Sequence, residues 1–328
     1  MDKIYFWACD ISKNSGEGIL ANLFLKKYID NKKGSYFVNI NSKNKNQKKN
    51  NFSINKKRFS TVYHKYFFPY VGVLNLWLKF FQSKKICYIN YLPLWNFLIF
   101  FLLPPNTILG PITGTAYRLK YSYIFNFLEK ISITIIKIRY KKAIFSNNFY
   151  KYKYSLDKKN FITNFILSDF DYKKINKKKR YDFIIYYRKN SKLQKNYIVK
   201  IFYELRKYKY SFATIGDKIN ITGNKNFGYV SRQRAKKIIS ECKFAISNPE
   251  NLYSFFVQDC LSSNLIVFYN IFFKKFNSTN TKNLIPITFE NIKKDINIIL
   301  NKTKKRNFTI KKNYLNKNFK LINFKSNN

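Results

Sequence analysis

Two α/β domains, each a parallel sheet with helices on both faces, are what this sequence predicts, and three observations carry the prediction. Short apolar runs alternate with longer amphipathic stretches along most of the 328 residues, the pattern of strands joined by crossover helices. A polar, lysine-rich passage over 147–180 interrupts the alternation, and the same rhythm restarts beyond it. Seven of the nine glycines fall at expected strand exits or turns, where the missing Cβ permits positive φ and close approach of a ligand to the backbone.

The first half opens with an apolar strand over 4–8, a loop DISKNSGEG, a helix over 19–28 and a strand over 36–40. The start MDKIYFWACDISKN reads as strand and loop rather than a charged segment followed by an apolar leader. Residues 41–58 carry seven basic side chains and no acid, so they form an exposed loop, disordered or surface-binding. Helices are expected over 70–81, 94–103 and 121–139, with strands over 86–91, 107–109 and 143–146 between and after them. The most apolar run, LPLWNFLIFFLL, is only 12 residues long, is broken by Pro93 and Asn96, and stops at Pro104 and Pro105. A membrane span needs about 20 residues, so this run reads as a buried crossover helix rather than a shallow membrane-inserting segment.

The polar passage holds one short expected strand over 161–167, and the domain boundary is placed at its start, giving domains 1–160 and 161–303 and a basic tail 304–328. The second half then runs strand 182–187, helix 195–207, strand 211–215, a short strand near 218–221, helix 231–242, strand 243–247, a Pro-Glu turn, helix 253–263, strand 265–269 and helix 289–301. From Lys302 onward there are nine basic residues and no acid.

The formal net charge is +47, with 54 lysines against nine arginines. Lys, Asn, Ile, Phe and Tyr are abundant while Gly, Ala, Pro and Arg are scarce, the composition that an AT-rich coding sequence produces. A protein selected to read nucleic acid by bidentate contacts uses more Arg. The charge still attracts polyanions and anionic membrane surfaces. Cys9, Cys87, Cys242 and Cys260 are dispersed, with no C-x-x-C pair, which reads as a reduced, cytoplasmic compartment. His64 is the only histidine, so a zinc site is not expected.

Chemistry concentrates in 226–270. There Glu250 leaves the carboxyl end of a strand just before a helix N-terminus, and Asp259 follows within that helix. In open parallel sheets ligands collect on this edge, where free N–H groups favour phosphate. A carboxylate there suits the hydroxyls of a ribose or a sugar, so the stretch has the character of a nucleotide-sugar site.

These features resemble the GT-B glycosyltransferases, with two Rossmann-like domains facing across a cleft and the donor motif in the second. In the Glu-x7-Glu, group 1/family 4-like enzymes an acidic residue and a turn precede a second acid and small residues. Glu250, Asn251, Leu252, Tyr253 and Ser254 stand for the first part, and Asp259 through Asn264 for the second. The spacing is one residue longer than the pattern, Gln258 holds the standard second position, and the turn lacks glycine. Glu-Asn followed by Tyr and Ser is also similar to the fucosyltransferase-like branch, so the donor stays open.

In YYRKNSKLQK, after the first strand of the second half, the resemblance gives Arg188 and either Lys195 or Lys192 the diphosphate-holding roles. Fixed cations there stabilise the departing nucleoside diphosphate. It gives Glu250 the donor-sugar hydroxyls, Asp259 the ribose, and implies retention of anomeric configuration. Gly16, Glu17 and Gly18 resemble the glycine-rich turn near donor or acceptor, and Gly110, Thr113 and Gly114 a loop at the cleft. His64 could act as general base; a histidine in a surface loop or packed under the next helix is the plainer reading.

Asp169-Phe170-Asp171 is a D-x-D, the metal–diphosphate motif of the other large glycosyltransferase fold, but it falls in the polar connection. No metal or cofactor is expected. The expected partners are a nucleotide-sugar donor, a lipid-linked or surface-polysaccharide acceptor and an anionic membrane surface, with the protein peripheral on its cytoplasmic face. The competing readings are a non-catalytic nucleic-acid or polyanion binder and a degenerate GT-B fold without activity.

Overall fold

The computed structural model describes residues 4–8, 18–21, 24, 37–40, 67–82, 85–89, 94–112, 123–145, 153–156, 161–162, 179–188, 192–252, 254–276 and 283–304. The chain divides into two units. One comprises Met1–Gly114, Arg118–Asp169 and Asn318–Asn328, the other Thr115–Tyr117 and Phe170–Lys317.

In the first unit, β1 (Ile4–Ala8), β2 (Phe37–Ile40), β3 (Lys85–Ile89), β4 (Ile108–Ile112), β5 (Ala143–Phe145) and β6 (Phe161–Ile162) form one sheet, ordered β2-β1-β3-β4-β5-β6. Each pairing is parallel. Phe6, Trp7, Tyr88, Leu109 and Phe145 fill its interior. Helix α1 (Phe68–Phe81) packs on β1 and β3. Gly72 is required there, because a Cβ would run into the Trp7 indole.

Helices α2 (Phe97–Leu102) and α3 (Tyr123–Arg139) follow in the next two crossovers. Parallel crossovers are right-handed, and the steps from β2 to β3, β3 to β4 and β4 to β5 all move the same way along the sheet. Helices α1, α2 and α3 therefore share one face. The Trp77 Nε1–H donates to the Leu102 carbonyl at 2.8 Å, joining α1 to α2, and Trp95 meets Phe125 of α3 edge-on at 6.1 Å. The buried crossover helix expected over 94–103 is shorter and buried on one side only: Ile99 and Phe100 are buried, but Leu98, Phe101 and Leu102 are exposed.

Two further expectations change in this unit. Strand β4 does not end before Gly110 but continues through Gly110 and Pro111, with a register irregularity between Leu109 and Ile112. Strand β6 pairs with β5, through Ala143 with Phe161 and Ile144 with Ile162. The first sheet thus extends past residue 160, and the division between units follows β6 rather than preceding it. A two-residue strand in a lysine-rich passage carries no periodicity, so only its distant partner reveals its allegiance.

In the second unit, β7 (Tyr181–Tyr187), β8 (Phe212–Gly216), β9 (Asn224–Asn226), β10 (Cys242–Ile246), β11 (Ile266–Asn270) and β12 (Leu284–Ile287) form a sheet ordered β12-β11-β10-β7-β8-β9, parallel at each pairing. Helices α4 (Lys192–Lys207), α5 (Arg232–Ser240), α6 (Phe255–Ser262) and α7 (Ile292–Lys304) complete it. Phe183, Ile185, Ile198, Phe202, Phe212 and Phe268 lie in one core cluster. Phe202 of α4 stacks on Phe212 of β8 with centroids 4.3 Å apart. The strand expected near 218–221 is irregular. The neighbouring polar tripeptide pairs with β8 instead, its Asn224 and Asn226 side chains both donating to the Ile219 carbonyl, at 3.2 and 3.0 Å. Strand β12 was not expected; Pro286 within it is tolerated because β12 is an edge strand.

Candidate functional site

The strand order of the second unit decides where a ligand can sit. From β7 the chain steps outward to β8 and β9, then returns to the other side of β7 and steps outward again through β10, β11 and β12. The direction reverses between β7 and β10, and the loops leaving those strands diverge at that point. Open parallel sheets bind ligands outside the carboxyl ends of the strands at such a reversal. Ile185 of β7 is in register with Ile246 of β10. Arg188, which follows β7, and Glu250, in the turn that follows β10, therefore leave neighbouring strands, about 4.8 Å apart, at the same edge.

The Glu250 turn is held from several sides. The Ser247 N–H donates to the Phe268 carbonyl at 2.8 Å, and the Glu250 N–H to Asn248 Oδ1 at 2.7 Å. The Asn251 N–H donates to the Asn248 carbonyl at 3.2 Å, closing the turn, and Asn270 Nδ2, at the end of β11, donates to the Pro249 carbonyl at 3.1 Å. An Asx turn of this kind is why Asn precedes Pro-Glu here. Leu252 is buried, while Glu250 and Asn251 are half-exposed. Ser254 caps α6, its Oγ accepting the Val257 N–H at 3.3 Å. Tyr253 lies outside the described residues.

The Arg188 guanidinium lies 5.1 Å from the centroid of the Tyr186 ring, and its Nη2 donates to the Tyr186 hydroxyl at 3.3 Å. The Tyr186 ring in turn meets Phe256 of α6 at 6.3 Å. On the other flank Tyr229 donates to Asp217 Oδ1 at 3.0 Å. Partial desolvation of its hydroxyl, then the Asp217 carboxylate that it bonds, pushes the Tyr229 phenol above its usual range against the opposing pull of Arg188, although the ring is largely exposed. Gly216 makes this crowding feasible: its φ is +99°, and a Cβ there would strike the Tyr187 carbonyl. Asp217, Tyr229 and Phe256 were not singled out from the sequence. The usable signal was Gly216, a glycine ending a strand beside the strand that carries Arg188.

Lys192 and Lys195 lie in the first turn of α4, which begins shortly after β7; their side chains lie outside the described part. Gly16, Glu17, His64, Thr113, Gly114 and the Asp169–Asp171 motif also lie outside the described residues. Gly18 is buried at the start of a short helical stretch over 18–21.

Two roles drawn from the sequence need correction. Gly110 sits inside β4, where a Cβ would come within 2.7 Å of the Tyr88 carbonyl oxygen and the Ile89 Cα. Glycine is there for close packing of β3 and β4, not to open a loop. Asp259 is buried, and both carboxylate oxygens are taken by Arg232, Nε at 3.2 Å and Nη2 at 3.1 Å, with Lys236 Nζ at 3.7 Å. The Arg232 guanidinium also lies 4.6 Å from the Phe255 ring centroid. Asp259 joins α6 to α5, and its carboxylate is not turned out to meet a ribose.

No family model and no curated protein matches the chain. Solved structures do. WaaG, a glycosyltransferase involved in lipopolysaccharide biosynthesis, is similar with a TM-score of 0.56 at 10% identity, over 92% of this chain and 91% of that one. The UDP-GlcNAc 2-epimerase of Methanocaldococcus jannaschii, in complex with UDP-GlcNAc and UDP, gives 0.53 at 8% identity, over 95% of each chain. The UDP-GlcNAc 2-epimerase of Neisseria meningitidis, bound to UDP-GlcNAc, gives 0.52 at 9% identity, over 93% of this chain and 92% of that one. At such identities the likeness is one of fold: the chain has a GT-B glycosyltransferase-like fold.

Proposed function

We propose that the protein is a glycosyltransferase that moves a sugar from a nucleotide-sugar donor to a lipid-linked or surface-polysaccharide acceptor. The observation that carries this reading is the reversal of strand order between β7 and β10, which brings the exits bearing Arg188 and Glu250 side by side. The fold is shared with a glycosyltransferase of lipopolysaccharide synthesis and with epimerases that hold UDP-GlcNAc, which supports the donor class.

Breaking the bond from the sugar anomeric carbon to phosphate leaves positive charge on the ring and delivers negative charge to the departing nucleoside diphosphate. Arg188 and a lysine of the first turn of α4 meet the diphosphate, together with the free N–H groups at that helix start. Arg188 is suited to the task because its fork can hold two oxygens while its plane rests on Tyr186. Glu250, on a turn tied down at Asn248 and Asn270, holds the donor-sugar hydroxyls and faces the cationic ring as it forms. The acceptor hydroxyl bonds to the anomeric carbon as the bond to the diphosphate oxygen breaks, and its proton passes to that departing oxygen.

A thermal-shift screen against UDP-, GDP-, ADP- and CMP-sugars tests the donor class, followed by measurement of nucleoside diphosphate release with and without a lipid-linked sugar acceptor. A shift with at least one donor and acceptor-dependent release is the expected result. Release or isomerisation independent of acceptor points to rearrangement of the nucleotide-sugar itself, and stabilisation by RNA alone to the polyanion binder; either ends this reading.

A further inference from the structure

We infer that the face of the first unit formed by α1, α2 and α3 is an interfacial membrane-docking surface for an anionic lipid bilayer. The inference stands apart from the sugar-transfer reading, because it concerns a different unit and no residue of the donor site. Exposed large apolar side chains are unevenly shared between the units. Among the described residues, those of the second unit are the scattered Tyr203, Tyr208, Tyr229 and Ile271, whereas those of the first crowd onto these three helices and the residues that begin them.

On α1, Leu74, Leu78 and Phe81 recur at helical spacing on one stripe, exposed at 67%, 62% and 75%. On α2, Leu98 and Phe101 point outward while Ile99 and Phe100 fill the interior. On α3, Ile124, Phe127 and Ile138 are exposed, the first two at 71% and 64%, and exposed Lys130 and Lys137 stand among them. The three stripes adjoin one another, since Trp77 binds the end of α2 and Trp95 packs against Phe125 of α3. Water-soluble surfaces seldom keep so large an apolar area uncovered.

Charge selects the occupant. Glu129 is the only acidic residue between Asp30 and Asp157. It is itself buried, with its carboxylate accepting from Lys153 at 2.9 Å and from Tyr154. The described part of this face therefore presents apolar side chains and cations and no exposed carboxylate. Anionic headgroups over an acyl layer match that pairing. Among the described residues no helix is long and apolar enough to cross a membrane, so the contact is one of lying on the bilayer.

The test compares the full chain with a Leu78→Glu/Phe101→Glu variant. Each is floated with neutral phosphatidylcholine vesicles and with vesicles containing phosphatidylglycerol, at low and high salt. The parent should partition onto the anionic vesicles, and the variant about tenfold less or weaker, with helix content and nucleoside diphosphate affinity unchanged. Because charged substitutions could also disturb folding, a second measurement uses the parent itself. Lipids brominated on the acyl chain should quench part of its tryptophan fluorescence, and Trp95→Phe should remove that part. Equal partitioning of parent and variant, or quenching indifferent to Trp95→Phe, overturns the inference and leaves attraction to the basic segments alone. So does a parent that ignores vesicles but forms a dimer that the variant disperses. Nucleoside diphosphate affinity, read on the same samples, keeps this outcome separate from the fate of the donor site.

Discussion

At the scale of single residues, Arg188 and Glu250 are assigned different work, and their variants should separate accordingly. A charge-assisted hydrogen bond to an anion is worth about 1.5–3 kcal/mol, so Arg188→Ala should weaken nucleoside diphosphate binding by that amount in calorimetry. Glu250→Gln keeps size and one acceptor but loses the charge that answers a cationic ring, so single-turnover rates should fall sharply while nucleoside diphosphate affinity holds. A Glu250→Gln variant with parental turnover would reduce Glu250 to a turn residue. Asp259 belongs to another category. Its carboxylate is almost fully buried against Arg232, whose side chain is 22% exposed, and removing one partner of a buried pair leaves the other charge uncompensated. Asp259→Asn should cost about 3 kcal/mol of stability, the lower end for a buried pair because Arg232 keeps some access to water, seen as a lower Tm, with little change in nucleotide affinity of the protein that remains folded. Glu250 was legible in the sequence because a Pro-Glu turn between an apolar run and a helix marks a strand exit. Asp259 was misassigned because its partner Arg232 lies on a different helix, and sequence spacing cannot show which face of α6 looks inward.

At the scale of elements, the strands and helices around the site were largely readable, since β7, β8, β10 and β11 are short apolar runs bounded by polar turns. What could not be read was pairing: the strand expected over 161–167 gave no sign that it joins β5, while β9 is polar and β12 contains a proline, so for those two the tertiary partners alone make them strands. The central strands are tied at their starts by Asp182 of β7. It accepts from the Ser211 N–H and Oγ, each at 2.9 Å, ahead of β8, and from Lys243 Nζ of β10 at 2.7 Å. Partial burial works to raise its pKa, but the bonds from Lys243 and Ser211 outweigh that and hold the carboxyl below its ordinary value. For a carboxyl lowered in this way, the folded state binds the proton less readily than the unfolded chain. The stabilisation is therefore complete above the unfolded value of about 3.9 and is lost as pH falls through the lower folded value. Urea midpoints taken from pH 6 downward should drop through that acid window in the parent and drop less in Asp182→Asn, which starts from a lower midpoint. Parallel acid limbs in the two proteins would show that the ties contribute nothing through charge.

At the scale of the whole molecule, composition hid as much as it told. With phenylalanine, tyrosine and isoleucine abundant throughout, aromatic residues mark core and surface alike, so the apolar face on α1, α2 and α3 could not be separated from the interior by pattern alone. The division into two similar halves was visible because each half repeats the strand–helix rhythm, and each has a sheet of its own. In the second unit the reversal between β7 and β10, the Arg188 and Glu250 exits and the cluster around Phe183, Phe202 and Phe212 all belong to one body. Among the described residues its core cluster is drawn from its own strands and helices: α4 and α7 contact each other, and Asp295 of α7 accepts from Tyr197 of α4 and from the Thr288 and Phe289 N–H groups after β12. A chain spanning residues 170–317 should therefore fold by itself, with a single cooperative melt, and bind the nucleoside diphosphate within about tenfold of the full chain's affinity, while transferring no sugar. Circular dichroism melts and calorimetry on that fragment give the answer. A fragment that stays unfolded would show that the second sheet depends on the first unit. A folded fragment that fails to bind what the full chain binds would mean that Arg188 and the α4 start are not sufficient to hold the diphosphate.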